Sequence, residues 1–217
     1  MSIINLSVYQ LKDIAPVQAA EQLKLLVPQF IRFDLQETLY LTSGNNEQEL
    51  VVLSRWPDLR ALADATSQFR ENKLYQPVPG ISLDVQRAYN FRVVKEFQRF
   101  HLAAQTTSVL LYRLVNTHTN IDKVIESAKQ HDAANLFSFS GLVHYWLGVS
   151  LNNQQPLVLM RNDWLSEEAR QLYLGNKGES HREWVKKAGL EFLQQASTLV
   201  SAFNSPFVPP KGTSFIE

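Results

Sequence analysis

The chain has 217 residues, 45% hydrophobic and 19% charged, with Lys plus Arg and Asp plus Glu both at 21. A net charge of zero without a basic block leaves no electrostatic footprint for nucleic acid or for an anionic membrane surface. The absence of cysteine excludes disulfides, thiolate metal sites and a cysteine nucleophile. The longest mostly apolar run, residues 142–151, is far short of the ~18 residues of a membrane span. Met1-Ser2-Ile3-Ile4-Asn5 carries no basic n-region, so a cytoplasmic protein is the simplest expectation.

The first strand signal is Ile4, Leu6 and Val8 alternating with Asn5, Ser7 and Tyr9, a period of two on a half-buried strand. Pro16 suits the first turn of a helix, where its missing N–H costs nothing, and Val17, Ala20 and Val27 continue at helical spacing. After Pro28 a long β region is expected, with Phe33, Leu35, Glu37, Leu39 and Leu41 on one face. Gly44-Asn45-Asn46 reads as a hairpin turn, residues 50–53 as the partner strand ending at Arg55-Trp56-Pro57. Leu59, Leu62, Ala63, Thr66 and Phe69 form an amphipathic helix. Residues 76–80 read as a loop, and Tyr89, Phe91, Val93, Lys95 and Phe97 alternate as a fourth strand.

The second half repeats this order. Val109, Leu111 and Arg113 open it as a strand, Asn120 caps a helix, residues 137–150 are the long strand and 157–160 its partner. A helix over 166–174 is expected to break at Gly175-Asn176-Lys177-Gly178, and Ser180-His181-Arg182-Glu183 to open a longer one as a capping box. Apolar spacing from Val185 would carry that helix toward Phe203. Repeat logic instead places a fourth strand at about 198–204, and the repeat is followed.

Residues 45–53, Asn-Asn-Glu-Gln-Glu-Leu-Val-Val-Leu, recur at 152–160 as Asn-Asn-Gln-Gln-Pro-Leu-Val-Leu-Met, an offset of 107. The same register matches Phe30 to Phe137, Leu35 to Leu142 and Ser43 to Ser150, which reads as one unit duplicated. Each half then has the β-α-β-β-α-β, ferredoxin-like order. Two helices cover one sheet face and leave the other bare, so the two bare faces should bury one another. The fold class expected is α+β: two ferredoxin-like repeats, 1–100 and 107–217, packed sheet to sheet as an intramolecular pseudo-dimeric barrel.

This order, the repeat, and a tryptophan closing the third strand before a helix (Arg55-Trp56-Pro57 and Asn162-Asp163-Trp164) resemble the dimeric α+β barrel superfamily. Within it the chain looks most like antibiotic-biosynthesis-monooxygenase-like proteins, as a tandem fusion. The resemblance implies ligand pockets between helices and sheet and a mainly structural barrel interior. Members include cofactor-independent monooxygenases of polyketide aromatics, haem-degrading enzymes and many proteins without known activity.

Among the candidate site residues, His144 and Trp146 share a strand face, with Tyr145 on the other. A histidine beside a tryptophan is suited to deprotonate an acidic phenol, although Trp146 packing in a core with His144 bonded locally is the plainer account. Glu37 occupies the counterpart of His144. The resemblance puts Trp56 and Trp164 at cavity walls. Tyr9 and Tyr112, on the opening strands, are placed to hydrogen-bond a substrate oxygen, and Arg161, like Arg55, to bind an anionic one. The resemblance to haem-degrading enzymes makes His181 the one position to carry an axial haem ligand, with Asn5 as the accompanying asparagine and at most Ser108 in the second half. The five histidines (101, 118, 131, 144, 181) show no ligand spacing, so no metal is expected. Phosphate-loop, dinucleotide, nucleophile-elbow and zincin motifs are missing.

The resemblance and these residues together suggest a cofactor-independent monooxygenase-like enzyme acting on a small electron-rich aromatic molecule. His144 would be the base, and Trp146 and Trp164 the walls. The alternatives are a non-catalytic small-molecule-binding or interaction protein of the same fold, and a haem-binding, haem-degrading enzyme. The partner expected is a small molecule rather than nucleic acid or membrane, with assembly into a homo-oligomer left open.

Overall fold

Alternation of Ile4, Leu6 and Val8 with polar neighbours produces the first of eight strands in a computed structural model that describes residues 2–71, 87–99, 104–115, 120–152, 154 and 156–204. The elements are β1 (Ile3–Gln10), α1 (Pro16–Lys24), α2 (Val27–Ile31), β2 (Glu37–Ser43), β3 (Glu49–Trp56), α3 (Leu59–Glu71) and β4 (Arg87–Gln98). The second series is β5 (Thr106–Leu114), α4 (Ile121–Asn135), β6 (Leu142–Ser150), β7 (Leu157–Trp164), α5 (Glu167–Lys187) and β8 (Leu190–Asn204). The class is α+β, as expected. The expected loop at 76–80, His101 and His118 lie outside the described residues, as does most of the segment joining the halves.

The strands close into one antiparallel barrel in the order β1-β3-β2-β8-β5-β7-β6-β4. Within each half the order is that of a ferredoxin-like sheet. The two seams, β2 with β8 and β4 with β6, join the halves and leave no open edge. An eight-stranded barrel is just wide enough for side chains to fill. Leu6, Leu39, Leu53, Phe91, Leu111, Trp146 and Leu159 pack its interior, and every strand contributes to that cluster. The helices lie outside, α1 to α3 over the first half and α4 and α5 over the second. Both series contribute strands to this interior.

Several boundaries depart from the sequence expectation. The β region after Pro28 begins only at Glu37, because residues 27–31 form α2 with Pro28 in its first turn. The second long strand likewise begins at Leu142 rather than 137. The helix expected to break at Gly175–Gly178 does not break. One helix runs from its Ser166 cap, whose hydroxyl accepts from the Ala169 amide at 3.2 Å, so Ser180 sits mid-helix and caps nothing. Each helical glycine costs about 1 kcal/mol, but Tyr173 and Trp184, buried on either side of the glycines, hold the helix to the sheet across them. Gly189, at φ +66°, ends it in the left-handed conformation that glycine adopts without strain. The last strand therefore starts at Leu190, eight residues before the expected 198.

The pairing of β4 with β6 is irregular. Its register shift between Val93 and Lys95 is a β-bulge, which re-aims the side chains beyond it. Tyr89, Phe91 and Val93 face the interior, but after the bulge Phe97 packs outside with Phe137 at 4.9 Å. Glu96 turns inward instead.

Candidate functional site

The interior of the barrel ends in a chain of charges. Arg161 donates from both terminal nitrogens to Glu37 at 2.6 and 2.9 Å, and also holds Asp163 at 2.7 and 2.9 Å. Asp163 accepts from the Thr107 hydroxyl at 2.7 Å and lies 3.1 Å from His144 Nδ1. His144 Nε2 is 2.9 Å from Glu96, which accepts two bonds from Arg55 at 2.6 and 2.9 Å. Burial pushes the His144 ring toward the neutral form, but its bonds to Asp163 and Glu96 outweigh this and raise its pKa above the usual value. Burial likewise pushes Glu96 up, and the bonds from His144 and Arg55 overcome it and hold it at about 2.

The helix side of the second half is filled by aromatic rings. Trp164 lies 5.1 Å from Tyr173 and 6.1 Å from Phe139, and its indole N–H donates to Ser108 at 3.1 Å. Tyr145 is fully buried and donates its hydroxyl to Asp132 of α4. Burial raises the Asp132 pKa to about 7, more than the Tyr145 bond lowers it. The Tyr112 hydroxyl sits 2.9 Å from His181 Nε2. Burial, with some help from nearby His131, pushes His181 down to about 4, so it rests neutral against the phenol. The residues here do not fit a haem: the His181 nitrogen that would ligate iron is engaged by Tyr112, and the ground around it is occupied by Trp184 and His131 at 5.5 and 5.6 Å.

The first half is different. Between β1, β2, β3 and the helices α1 to α3 lies a cavity of about 310 Å³. Its walls are apolar, with Leu23, Val27, Phe30 and Leu62 from the helices and Trp56 from the end of β3. Phe30 meets Trp56 edge-on at 6.2 Å, and the Trp56 indole N–H donates to Ser54 at 2.9 Å. On the sheet floor Asn5 donates to Asn90 at 2.8 Å and accepts from Ser7 at 2.9 Å. Tyr9 and Tyr40 add phenols, and burial, then proximity to Tyr9 and Glu21, drives the Tyr40 pKa well above its ordinary value. Among the described lining residues none is a carboxylate, an imidazole or a basic group.

No protein family and no curated protein matches this chain in sequence. Solved structures do match in shape. A candidate monooxygenase from Fusobacterium nucleatum is similar with a TM-score of 0.67 over 94% of both chains at 11% identity. A second candidate monooxygenase, from Lactobacillus acidophilus, gives 0.62 over 94% of this chain and 96% of that one at 9% identity. An anthrone oxidase-like protein gives 0.61 over 95% and 94% at 13% identity. The fold is that of the dimeric α+β barrel. Identities this low carry the fold and not the activity.

Within the dimeric α+β barrel the sequence-predicted residues fall into three groups. Trp56 and Tyr9 line the open cavity together with Asn5. Trp164, Tyr112 and His181 belong to the aromatic packing of the second half. His144, Trp146 and Arg161 lie inside the barrel, which corrects the expectation of a base and its wall beneath the helices. Arg161, spent on Glu37 and Asp163, is not free to bind an anionic substrate, and Arg55 is spent on Glu96. The sequence reading missed Thr38, Tyr40, Asn90 and Glu96. Asn5, Ser7 and Tyr9 on the outward face of β1 were the available signal for the cavity floor. Glu96 was hidden by the bulge, which inverts the alternation that the sequence suggests.

Proposed function

We propose that this protein binds a small, largely apolar molecule in the first-half cavity, without acting on it by acid–base chemistry of its own. The cavity itself carries the reading. Its 310 Å³ stands at the lower end of the ~300–1,000 Å³ of ligand pockets, which are apolar with a few placed polar groups. An apolar occupant would displace water from these walls. The Asn5–Asn90 amides and the phenols of Tyr9 and Tyr40 supply hydrogen bonds, while Trp56 and Phe30 supply ring faces and edges.

A cofactor-independent oxygenase needs a group that takes a proton from its substrate. The described lining offers only phenols, and Tyr40 is held in its protonated, donating form. The resemblance to the anthrone oxidase-like protein favours testing oxygenation all the same. Titration with the neutral fluorescent probe N-phenyl-1-naphthylamine should raise probe emission saturably and quench Trp56, and Trp56→Phe should remove that share of the quenching. An unchanged emission spectrum would overturn the binding reading. Oxygen uptake with an anthrone or dihydroxynaphthalene, lost when Thr38→Tyr fills the cavity, would replace it with the oxygenase reading.

A further inference from the structure

The two halves share one frame but not one space. Trp56 and Trp164 end β3 and β7, and α3 and α5 each begin three residues later. Thr38 pairs with Ser54, two residues before Trp56, and Tyr145 pairs with Asn162, two residues before Trp164. Thr38 and Tyr145 are therefore equivalent positions on the helix-facing side of the barrel. Ala65 and Tyr173, each nine residues past its tryptophan and in the same phase of its helix, are equivalent too.

Different side chains stand at those positions: Thr38 and Ala65 in the first half, Tyr145 and Tyr173 in the second. In the second half the Tyr145 ring packs edge-on to Phe137 at 5.2 Å, and Tyr173 packs against Trp164 at 5.1 Å and Phe139 at 5.6 Å. One continuous buried cluster results, running from Tyr112 and Leu114 to Trp164 and Trp184. In the first half the corresponding core is split. One cluster gathers Leu23, Tyr40 and Leu50, and another gathers Val27, Trp56 and Ala65. The cavity borders both clusters, with Thr38 on its wall and Thr66, the sequence neighbour of Ala65, on its helix side.

We infer that Thr38 and Ala65 set the occupancy of this protein at one ligand per chain: the second half carries its own occupant as the rings of Tyr145 and Tyr173. The inference rests on the proposed ligand binding and adds where binding is allowed, where it is closed, and which side chains decide it. Interiors are packed to crystal-like density, so a phenol built into the core and a bound ligand are alternative ways to fill the same volume. Thr38 is 4% exposed and Ala65 1%, so both are shielded from bulk solvent, and Thr38 borders the open space of the cavity.

The test counts bound N-phenyl-1-naphthylamine on the intact chain by fluorescence titration. Wild type should take one probe. Thr38→Tyr should weaken binding at least about tenfold, with Thr38→Leu intermediate and Thr38→Val near wild type. Tyr145→Thr with Tyr173→Ala should take two probes. If that pair fails to fold, the Thr38 series still decides the matter, since it adds atoms to an open space. Two probes on wild type, or Thr38→Tyr and Thr38→Leu both binding like wild type, would overturn the inference while leaving ligand binding intact. No probe on wild type would remove the ligand reading, and the inference with it.

Discussion

Replacing His144 with leucine should cost about 3–5 kcal/mol, the range for removing one partner of a buried ion pair. The figure comes from the proton count. Both ring nitrogens face carboxylate oxygens, Nδ1 at 3.1 Å from Asp163 and Nε2 at 2.9 Å from Glu96. A neutral imidazole has one N–H and a carboxylate has none, so two bonds require the imidazolium. Its charge also balances the chain: Glu37, Glu96 and Asp163 face Arg55, Arg161 and His144. Two hydrogen bonds to charged groups at ~1.5–3 kcal/mol each bracket the same value. Because the folded pKa is raised above 6.5, the stabilisation is complete below 6.5 and is lost as pH rises through the folded-state value. Urea unfolding of wild type and His144→Leu at about pH 6 and about pH 9 measures it. The gap should be largest at the lower pH and narrow at the higher, with equal m-values. A gap below about 1 kcal/mol at low pH, or one that does not change with pH, would refute the reasoning.

Arg161→Leu should be at least as damaging, about 3–5 kcal/mol by urea midpoint, because it leaves Glu37 and Asp163 without their guanidinium; adding Glu37→Leu should recover part of the loss. His181 is held neutral with a folded pKa of about 4 against 6.5 unfolded. Its contribution is present above 6.5 and should be lost as pH falls from there toward about 4, seen as a Tm decline that flattens in His181→Phe. Haemin added to the protein should give no Soret band that depends on His181. Gly189→Ala should cost about 1–2 kcal/mol from backbone strain at positive φ, since nothing lies within 4 Å of the added methyl; thermal melts would show it.

Legibility varied with the kind of signal. Strand faces with clean alternation, as in β1, and the helix N-cap at Asn120 could be read directly, because they depend on neighbours two to four residues away. The course of residues 175–190 could not. Two glycines and a serine look like a helix break, and only the burial of Tyr173 and Trp184 against the barrel shows why the helix persists. The same holds for Glu96, whose direction depends on a bulge set by pairing with β6. His144 and Trp146 were rightly grouped on one face. Which side of the sheet that face turns to was beyond reach, since alternation distinguishes faces without naming them.

By itself the sequence determined the α+β class and the alternation of its strands, which come from periodicity along the chain. Tertiary structure alone decided that the barrel interior ends in a charge chain, that a cavity lies beneath the helices of the first half, and that aromatic rings cluster beneath those of the second. Those outcomes depend on side chains far apart in sequence, such as Arg161 with Glu37 and Tyr145 with Asp132, meeting only once the strands have closed.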